Sequence, residues 1–229
     1  MQLCESWKLI SKGAEATLYL GSWYGFKAIK KVRHPKRYRY YELDKHIRIT
    51  RTRREARLLI FAKKCNVLVP YVYHVDLDEC SIIMEYISGK LLRDYIYEKE
   101  EEGDYETICK LLRMAGEYLA NLHENRILHG DYTTSNIIVH DKTGNLFVID
   151  FGLGGLSSGD IEDFATDLRV FTRGLECAHW EHYDEYLRIF LEGYHTFSKG
   201  DETIKRLREI ALRGRYVRER RLKKVLSYL

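Results

Sequence analysis

The chain has 229 residues, of which 45% are apolar and 13% aromatic, and its net charge is +4. This length suffices for one domain or two small lobes around a cleft, and the apolar fraction suffices for a buried core. The sequence predicts neither a signal peptide nor a membrane span. Five widely spaced cysteines without a C-x-x-C pair favour a reduced cytoplasmic protein, or also a nuclear one if the source is eukaryotic.

The positive charge is concentrated in two segments. Residues 30–57 hold twelve Lys or Arg against three acidic residues, and residues 205–224 hold ten against two. Like charges gathered on one surface create a field that attracts polyanions. These segments therefore predict an RNA-binding surface or an acidic protein partner, and two solvated helix faces are the alternative.

The first 85 residues have a β-rich pattern with one helix. In chain order, the sequence predicts strands at 7–10, 16–20 and 25–31, a helix at 51–64, and strands at 71–75 and 81–85. Gly21-Ser22 is the predicted turn between the second and third strands, and residues 76–80 are the predicted turn between the last two. Pro70 ends the helical pattern.

From residue 88 the pattern is mainly helical, with a strong apolar stripe at residues 108–122. In chain order, the sequence predicts a short helix at 91–97, an acidic loop at 98–106, a long helix at 108–122, strands at 137–140 and 146–149, and helices at 161–173, 180–196 and 201–213. We therefore predict an α+β fold, a minimal bilobal protein-kinase-like domain. Its parts are a β-rich N-lobe at 1–86, a helical C-lobe at 87–212 and a basic C-terminal tail at 213–229.

Two motifs predict phosphoryl transfer. H-G-D-Y-T-T-S-N occupies residues 129–136, and V-I-D-F-G occupies residues 148–152. Asn136 and Asp150 supply the hard oxygen ligands that Mg²⁺ prefers, and Asp131 could orient or deprotonate a hydroxyl group or water. In order and at this spacing, the motifs resemble the catalytic signature of protein kinases, which bind MgATP.

The upstream sequence adds candidate nucleotide-binding residues. Ser11, Gly13 and Ala16 occupy the three glycine places of a phosphate-binding loop, where small residues let backbone N–H groups approach phosphates. The strand at 81–85 leads into a hinge, where backbone groups of Glu85 and Ile87 are expected to bond the adenine.

A lysine in the third strand is the expected phosphate ligand. Lys30 in K-A-I-K matches the kinase pattern best, although Lys27 and Lys31 are competitors. Glu55 on the predicted helix is the expected ion-pair partner of Lys30. Relief of repulsion among neighbouring arginines is the alternative role for Glu55.

Over essentially its whole length the chain resembles the small atypical kinase subunits of the KEOPS complex, relatives of the RIO kinases. The segments that carry this resemblance are K-G-A-E-A at 12–16, P-K-R-Y-R at 35–39, R-T-R-R-E-A-R at 51–57, H-G-D with T-T-S-N at 129–136, and R-G-R at 213–215. The resemblance implies Asp131 as catalytic base, Asn136 and Asp150 as Mg²⁺ ligands, and Lys30 with Glu55 at the phosphates.

The same resemblance implies partners and a pathway. These subunits bind the KEOPS threonylcarbamoyltransferase subunit and support threonylcarbamoyladenosine formation next to the anticodon of tRNA. They are thought to act largely as ATPases and are also classed as serine/threonine protein kinases. The resemblance implies tRNA contact by the basic C-terminal tail, and we expect the segments 30–57 and 205–224 to contact tRNA as well.

Three departures from ordinary protein kinases predict slow catalysis that a partner improves. Thr133 stands where those kinases carry a phosphate-binding lysine, and Glu15 places an anion in the phosphate loop. Only ten residues separate Gly152 from the helix predicted near Asp163, too few for an activation segment. A stand-alone serine/threonine kinase and a nucleotide-binding scaffold without required catalysis are the alternatives. The Arg-rich segments argue against a small-molecule kinase of the aminoglycoside type.

Overall fold

The structure, a computed structural model, describes residues 6–212. The predicted basic tail at 213–229 and the basic residues beyond Leu212 lie outside the described residues. The described elements are β1 (Lys8–Lys12), β2 (Thr17–Trp23), β3 (Phe26–Val32), α1 (Tyr41–Lys64), β4 (Val72–Asp76), β5 (Ser81–Glu85), β6 (Gly89–Leu91), α2 (Leu92–Glu102), α3 (Tyr105–Glu124), β7 (Ile127–Leu128), β8 (Ile137–His140), β9 (Leu146–Val148), β10 (Gly155–Leu156), α4 (Ile161–Ala178), α5 (Tyr183–Tyr194) and α6 (200–212). The predicted α+β class, with a β-rich part followed by a helical part, is confirmed.

The N-terminal part is one antiparallel sheet in the order β1-β2-β3-β5-β4. The hairpin between β2 and β3 turns at Tyr24 and Gly25, whose φ angles of 48° and 86° are those of a tight two-residue turn. The turn predicted at Gly21-Ser22 is therefore wrong, because β2 continues through both residues. Gly21 instead allows the β2 backbone to lie close to the Trp7 ring, because a Cβ at this position would be only 2.6 Å from that ring.

Helix α1 packs beside β4 and begins ten residues before the predicted start. The missed part, residues 41–50, escaped the sequence pattern because its one buried residue, Asp44, is charged. Asp44 is buried and accepts hydrogen bonds from Arg48 Nε at 2.7 Å and from the backbone N–H of Lys36 at 3.2 Å. Such a buried ionic turn carries no apolar periodicity.

The C-terminal part is built around α3, which packs closely against α5. A Cβ placed on Gly116 would lie 2.0 Å from the carbonyl oxygen of Phe190, so the two helix backbones nearly touch. The acidic loop predicted at 98–106 is wrong. Helix α2 continues to Glu102, Gly103 ends it at a φ of 73°, and the Asp104 side chain caps α3.

Two small sheets hold the segment between α3 and α4 in place. Strands β6, β8 and β9 form one of them, and β7 pairs with β10 in the other. A 3₁₀ turn at Thr134–Asn136 leads into β8, and the next strand, β9, ends just before Asp150. Both predicted motifs therefore lie at the ends of short strands facing the N-terminal sheet. Within residues 6–212, no helix is both long enough and apolar enough to cross a lipid bilayer.

Candidate active site

A cavity of about 390 Å³ lies between the β1–β2 loop and the two motifs. Five of the predicted site residues line it: Ser11, Gly13, Ala16, Asp131 and Asp150. The loop turns sharply, because the Gly13 N–H donates to the Ala16 carbonyl oxygen at 2.9 Å. The structure thus brings the candidate phosphate loop and both candidate carboxylates to one cavity.

The lysine of this cavity is Lys31, and the prediction that Lys30 pairs with Glu55 is wrong. Lys31 Nζ lies 2.8 Å from Glu55 Oε1 and 2.7 Å from Asp150 Oδ1, whereas Lys30 Nζ lies 2.7 Å from Glu79. Neighbouring residues of a strand point to opposite faces. The A-I-K match was therefore displaced by one residue, which placed the predicted lysine on the face of β3 away from Glu55.

The contacts of Lys31 set the charges at the centre of the cavity. Burial alone would lower the pKa of Lys31, but the carboxylates of Glu55 and Asp150 outweigh it and raise that pKa. Burial would likewise raise the pKa of Asp150, but the Lys31 ammonium group outweighs it and lowers that pKa. Lys31 is therefore a cation and Asp150 an anion at neutral pH, as a site for metal-bound phosphates requires.

Asp150 adopts a left-handed backbone conformation, with a φ of 62°. Its Oδ1 accepts the N–H of Gly152 at 3.1 Å in addition to the bond from Lys31. Asp and Asn tolerate this conformation better than most residues. The turn holds the second carboxylate oxygen of Asp150 available to a ligand in the cavity.

Asn136 is joined directly to Asp131. Its Nδ2 donates to the backbone carbonyl oxygen and to Oδ2 of Asp131, both at 2.8 Å, which leaves the Asn136 amide oxygen free to bind a metal. The Ile149 N–H donates to the Asn136 carbonyl oxygen at 2.9 Å, so Asn136 also lies beside the strand end that carries Asp150.

The described part of the chain offers few groups for a metal ion. Within residues 6–212, no cluster of three or more His, Cys, Asp or Glu side chains could hold one. Asn136 and Asp150 supply two oxygens, which fits Mg²⁺ because this ion usually keeps waters and phosphate oxygens among its six ligands. The donor set therefore fits a metal that arrives with a nucleotide.

The catalytic segment is anchored by Asp167 of α4, a residue that the sequence analysis missed. Its Oδ2 accepts the backbone N–H of His129 and its Oδ1 accepts that of Gly130, both at 2.7 Å. His123 Nε2 lies 3.1 Å from Oδ2. Burial raises the pKa of Asp167, but the hydrogen bond and charge of His123 outweigh it, so that pKa is lowered.

His129 supports both motifs at once. Its Nε2 lies 3.0 Å from the Ile149 carbonyl oxygen, and its Nδ1 accepts the Asp131 N–H at 3.2 Å. Since a carbonyl oxygen can only accept, the ring is neutral with its proton on Nε2. The ring also contacts the buried Phe151 at a centroid distance of 4.5 Å. His129 thus couples the position of Asp131 to that of the segment carrying Asp150.

The burial of His129 predicts a pH-dependent stability. Burial lowers its pKa, and the negative charges of Asp167, Asp150 and Asp131 only partly oppose this. Below the unfolded-state pKa of about 6.5, the His129 side chain binds a proton in the unfolded chain but stays neutral in the folded protein. The free energy of unfolding therefore falls as the pH decreases. We expect His129→Gln to reduce that slope between pH 6.5 and 5 by up to about 1.4 kcal/mol per pH unit.

Denaturant unfolding of both proteins at several pH values in this window measures the two slopes. The comparison uses slopes because the substitution also changes the stability at every pH. Parallel curves would show that His129 takes up its proton equally in the folded and unfolded states.

Two cationic side chains from later in the N-terminal part contact the tip of the phosphate loop. Arg51 of α1 forms an ion pair with Glu15, and Lys36 Nζ donates to the Ala14 carbonyl oxygen. The hydrogen bond from Arg51 is the main reason that the pKa of Glu15 is lowered. The Glu15 charge is therefore matched by Arg51, so its expected repulsion of phosphates is partly offset.

The predicted hinge residues lie outside the group that lines the cavity. Glu85 ends β5, pairs with Ala28 of β3, and accepts the Tyr71 N–H on its side chain at 3.1 Å. Ile87 follows in the connection to β6 and is buried. Adenine binding by the backbone groups of Glu85 and Ile87 stays a prediction.

The segment after Gly152 is short and packed. Helix α4 begins at Ile161, where the predicted helix at 161–173 starts, and β10 pairs with β7 within the intervening segment. A Cβ on Gly154 would lie 2.7 Å from the Leu128 carbonyl oxygen, and one on Gly130 would lie 2.4 Å from that of Leu153. This close packing leaves no long loop to present a peptide substrate.

A β-sheet facing a helical part across a cleft, with the Lys31–Glu55 pair and both motifs in it, defines a protein-kinase-like domain. The protein kinase domain family matches residues 10–173. The chain is 41% identical to the KEOPS complex subunit Bud32 of Pyrococcus abyssi, over 93% of this chain and 97% of that protein. The chain belongs to the Bud32 family of protein-kinase-like proteins.

Longer relatives match as well. The chain is 41% identical to a probable bifunctional tRNA threonylcarbamoyladenosine biosynthesis protein of Methanocaldococcus jannaschii and 40% identical to one of Methanothermobacter thermautotrophicus. Each alignment covers 91% of this chain but only 37% and 36% of those proteins. The chain therefore spans just over a third of the length of these bifunctional relatives.

Proposed function

We propose that this protein is the MgATP-dependent kinase or ATPase subunit of a KEOPS complex and supports threonylcarbamoyladenosine formation in tRNA. The observation that carries this proposal is the assembled Lys31–Glu55–Asp150 contact beside Asp131 in one cavity. The names of the relatives supply the pathway. A cytoplasmic location, or also a nuclear one in a eukaryote, belongs to the same proposal.

In the proposed mechanism, the protein positions the reacting groups, and Mg²⁺, when bound, would supply neutralisation of phosphate charge. Lys31 would contact the α- and β-phosphates, and Asn136 and Asp150 would hold the metal through their side-chain oxygens. Asp131 orients the attacking water or hydroxyl group, and the bonds from Asn136 fix its carboxylate. The short, packed segment after Gly152 favours water or a residue of the complex over a peptide substrate.

The partners are the KEOPS threonylcarbamoyltransferase subunit and the other subunits of the complex. The longer relatives support this, because almost two thirds of each is chain beyond the kinase-like region in a protein named as bifunctional.

Ion pairs inside the segment 30–57 reduce the number of its basic side chains that are available to contact tRNA. Lys30, Lys31, Arg33, Arg39, Arg48 and Arg51 each pair with a carboxylate. Within residues 6–212, no carboxylate pairs with the other six, which are Lys36, Arg37, Lys45, Arg53, Arg54 and Arg57. Among these six, Arg53, Arg54 and Arg57 are exposed close together on α1 and line one cavity. We infer that these three arginines are the part of the segment that meets a polyanion.

The proposal is tested by ATP turnover of the chain alone, with the transferase subunit, and with both the subunit and tRNA. We expect turnover to rise on each addition and to be lost in Asp150→Asn, which keeps the size and backbone preference of Asp150 but removes its charge. In cells, the same variant should fail to restore tRNA modification. Unstimulated turnover, with efficient phosphorylation of an unrelated protein, would favour the stand-alone kinase. Restored modification by the inactive variant would favour the scaffold.

A further inference from the structure

Arg33 is a buried cation at the wall of the cavity. It follows β3 directly, its side chain is 3% exposed, and its Nη2 forms an ion pair with Glu55. Its Nε and Nη1 are buried and have no hydrogen-bond partner among the described residues. Leaving charged donors unsatisfied in the interior is costly, so such groups are expected to meet a ligand.

The guanidinium group lies against the cavity where the nucleotide phosphates are expected. Arg33 lines this cavity together with Lys31, Asp131 and Asp150. A Cβ placed on Gly152 would lie 3.2 Å from Arg33 Nη2, which puts the group directly beside the Asp-Phe-Gly turn. Arg33 Nη2 therefore lies beside the turn that carries Asp150, and the unsatisfied Nε and Nη1 belong to the same planar guanidinium group.

The direction of β3 indicates which phosphate Arg33 would meet. Ala28 pairs with Glu85 at the expected adenine end, and Val32 pairs with Thr17, the first residue after the phosphate loop. Arg33 shares a strand face with Lys31 and lies about 7 Å further from the adenine end. The terminal phosphate lies furthest from the adenine, so it is the group nearest to Arg33.

We propose that Arg33 binds the terminal phosphate of the nucleotide and supplies the positive charge that Thr133 cannot. A guanidinium group suits this task, since its planar set of donors can bind two phosphate oxygens at once. Glu55 has a double role in this arrangement, because its two oxygens hold Lys31 and Arg33 on the same face of the cavity.

The inference concerns nucleotide binding within the proposed function and is tested by calorimetric titration of the full chain. The ligands are MgATP, MgADP and adenosine, and the variants are Arg33→Gln and Arg33→Lys. Lysine preserves a positive charge beside Glu55 but lacks the donors at Nε and Nη1, so it decides the test if the glutamine variant does not fold. Arg48→Lys is the matched control, because Arg48 pairs with Asp44 outside the cavity.

We expect both Arg33 variants to bind MgATP about tenfold to a hundredfold more weakly. Their affinity for adenosine should be unchanged, their affinity for MgADP should fall much less, and Arg48→Lys should match the wild type. Equal weakening of all three ligands would show that Arg33 only supports the fold, and equal weakening of MgATP and MgADP would overturn the assignment to the terminal phosphate.

The outcomes separate this inference from the proposed function. Unchanged MgATP affinity in Arg33→Lys overturns the inference and leaves the complex-dependent activity standing. A selective loss of MgATP affinity supports the inference even if tRNA modification does not depend on this chain. Absence of nucleotide binding by the wild type overturns both.

Discussion

Replacing Lys31 by methionine should lower kcat/KM for ATP about 100-fold, which is the usual effect of removing one charged donor from a reacting group. Methionine keeps most of the length of the lysine side chain but removes the positive charge that Glu55 and Asp150 hold in the cavity. Arg33 still pairs with Glu55 in this variant, so the carboxylate is not left without a partner.

Lys30→Met is the matched control, because Lys30 is the next residue of the same strand. Its ion pair with Glu79 lies at the protein surface, where such pairs contribute about 0 to 1 kcal/mol, so its activity should equal that of the wild type. Parallel measurements of ATP turnover and thermal unfolding separate lost chemistry from lost stability. An inactive Lys30→Met beside an active Lys31→Met would reverse the assignment that the structure makes.

This pair of lysines shows where sequence reasoning reached its limit. The motifs at 129–136 and 148–152 have fixed internal spacing, so the sequence alone predicted that Asp131 and Asp150 meet, and both line the same cavity. A match of three or four residues within a strand does not fix the register in this way. A shift of one residue turns every side chain of the strand to the other face. The spacing of Lys31 and Arg33 by two residues, with one carboxylate able to meet both, was the signal that could have corrected the register.

Other features of the fold and the site could not be predicted from local sequence patterns. Asp167 lies 37 residues beyond Gly130 in sequence, and only the packing of α4 brings them together. The acidic stretch at 98–106 looked like a loop because its charges face solvent, yet Gly103 and Asp104 mark a helix end and a helix start within it. The first ten residues of α1 were missed because their one buried residue is Asp44, which pairs with Arg48, and not an apolar residue that periodicity detects.

Removing the Asp167 carboxylate should have the largest effect on stability. Asp167→Ala leaves the N–H groups of buried His129 and half-buried Gly130 without this acceptor, and it removes the partner of His123 Nε2. We expect a loss of about 3 to 5 kcal/mol in the free energy of unfolding, because each orphaned buried donor costs about 1–3 kcal/mol. Since natural domains are stable by only about 5–15 kcal/mol, the variant should unfold at markedly lower denaturant concentration.

Asp167→Asn tests whether the stability depends on the size of the Asp167 side chain or on its two hydrogen-bond acceptor oxygens. The two carboxylate oxygens accept from different N–H groups, so an amide in either orientation would direct its own NH₂ at a donor. The asparagine variant should therefore lose much of the same stability despite its equal size. Glu176→Ala on the exposed face of the same helix is the control and should change stability by less than about 0.5 kcal/mol. A stable Asp167→Asn protein with full ATP turnover would show that the catalytic segment keeps its position without this anchor.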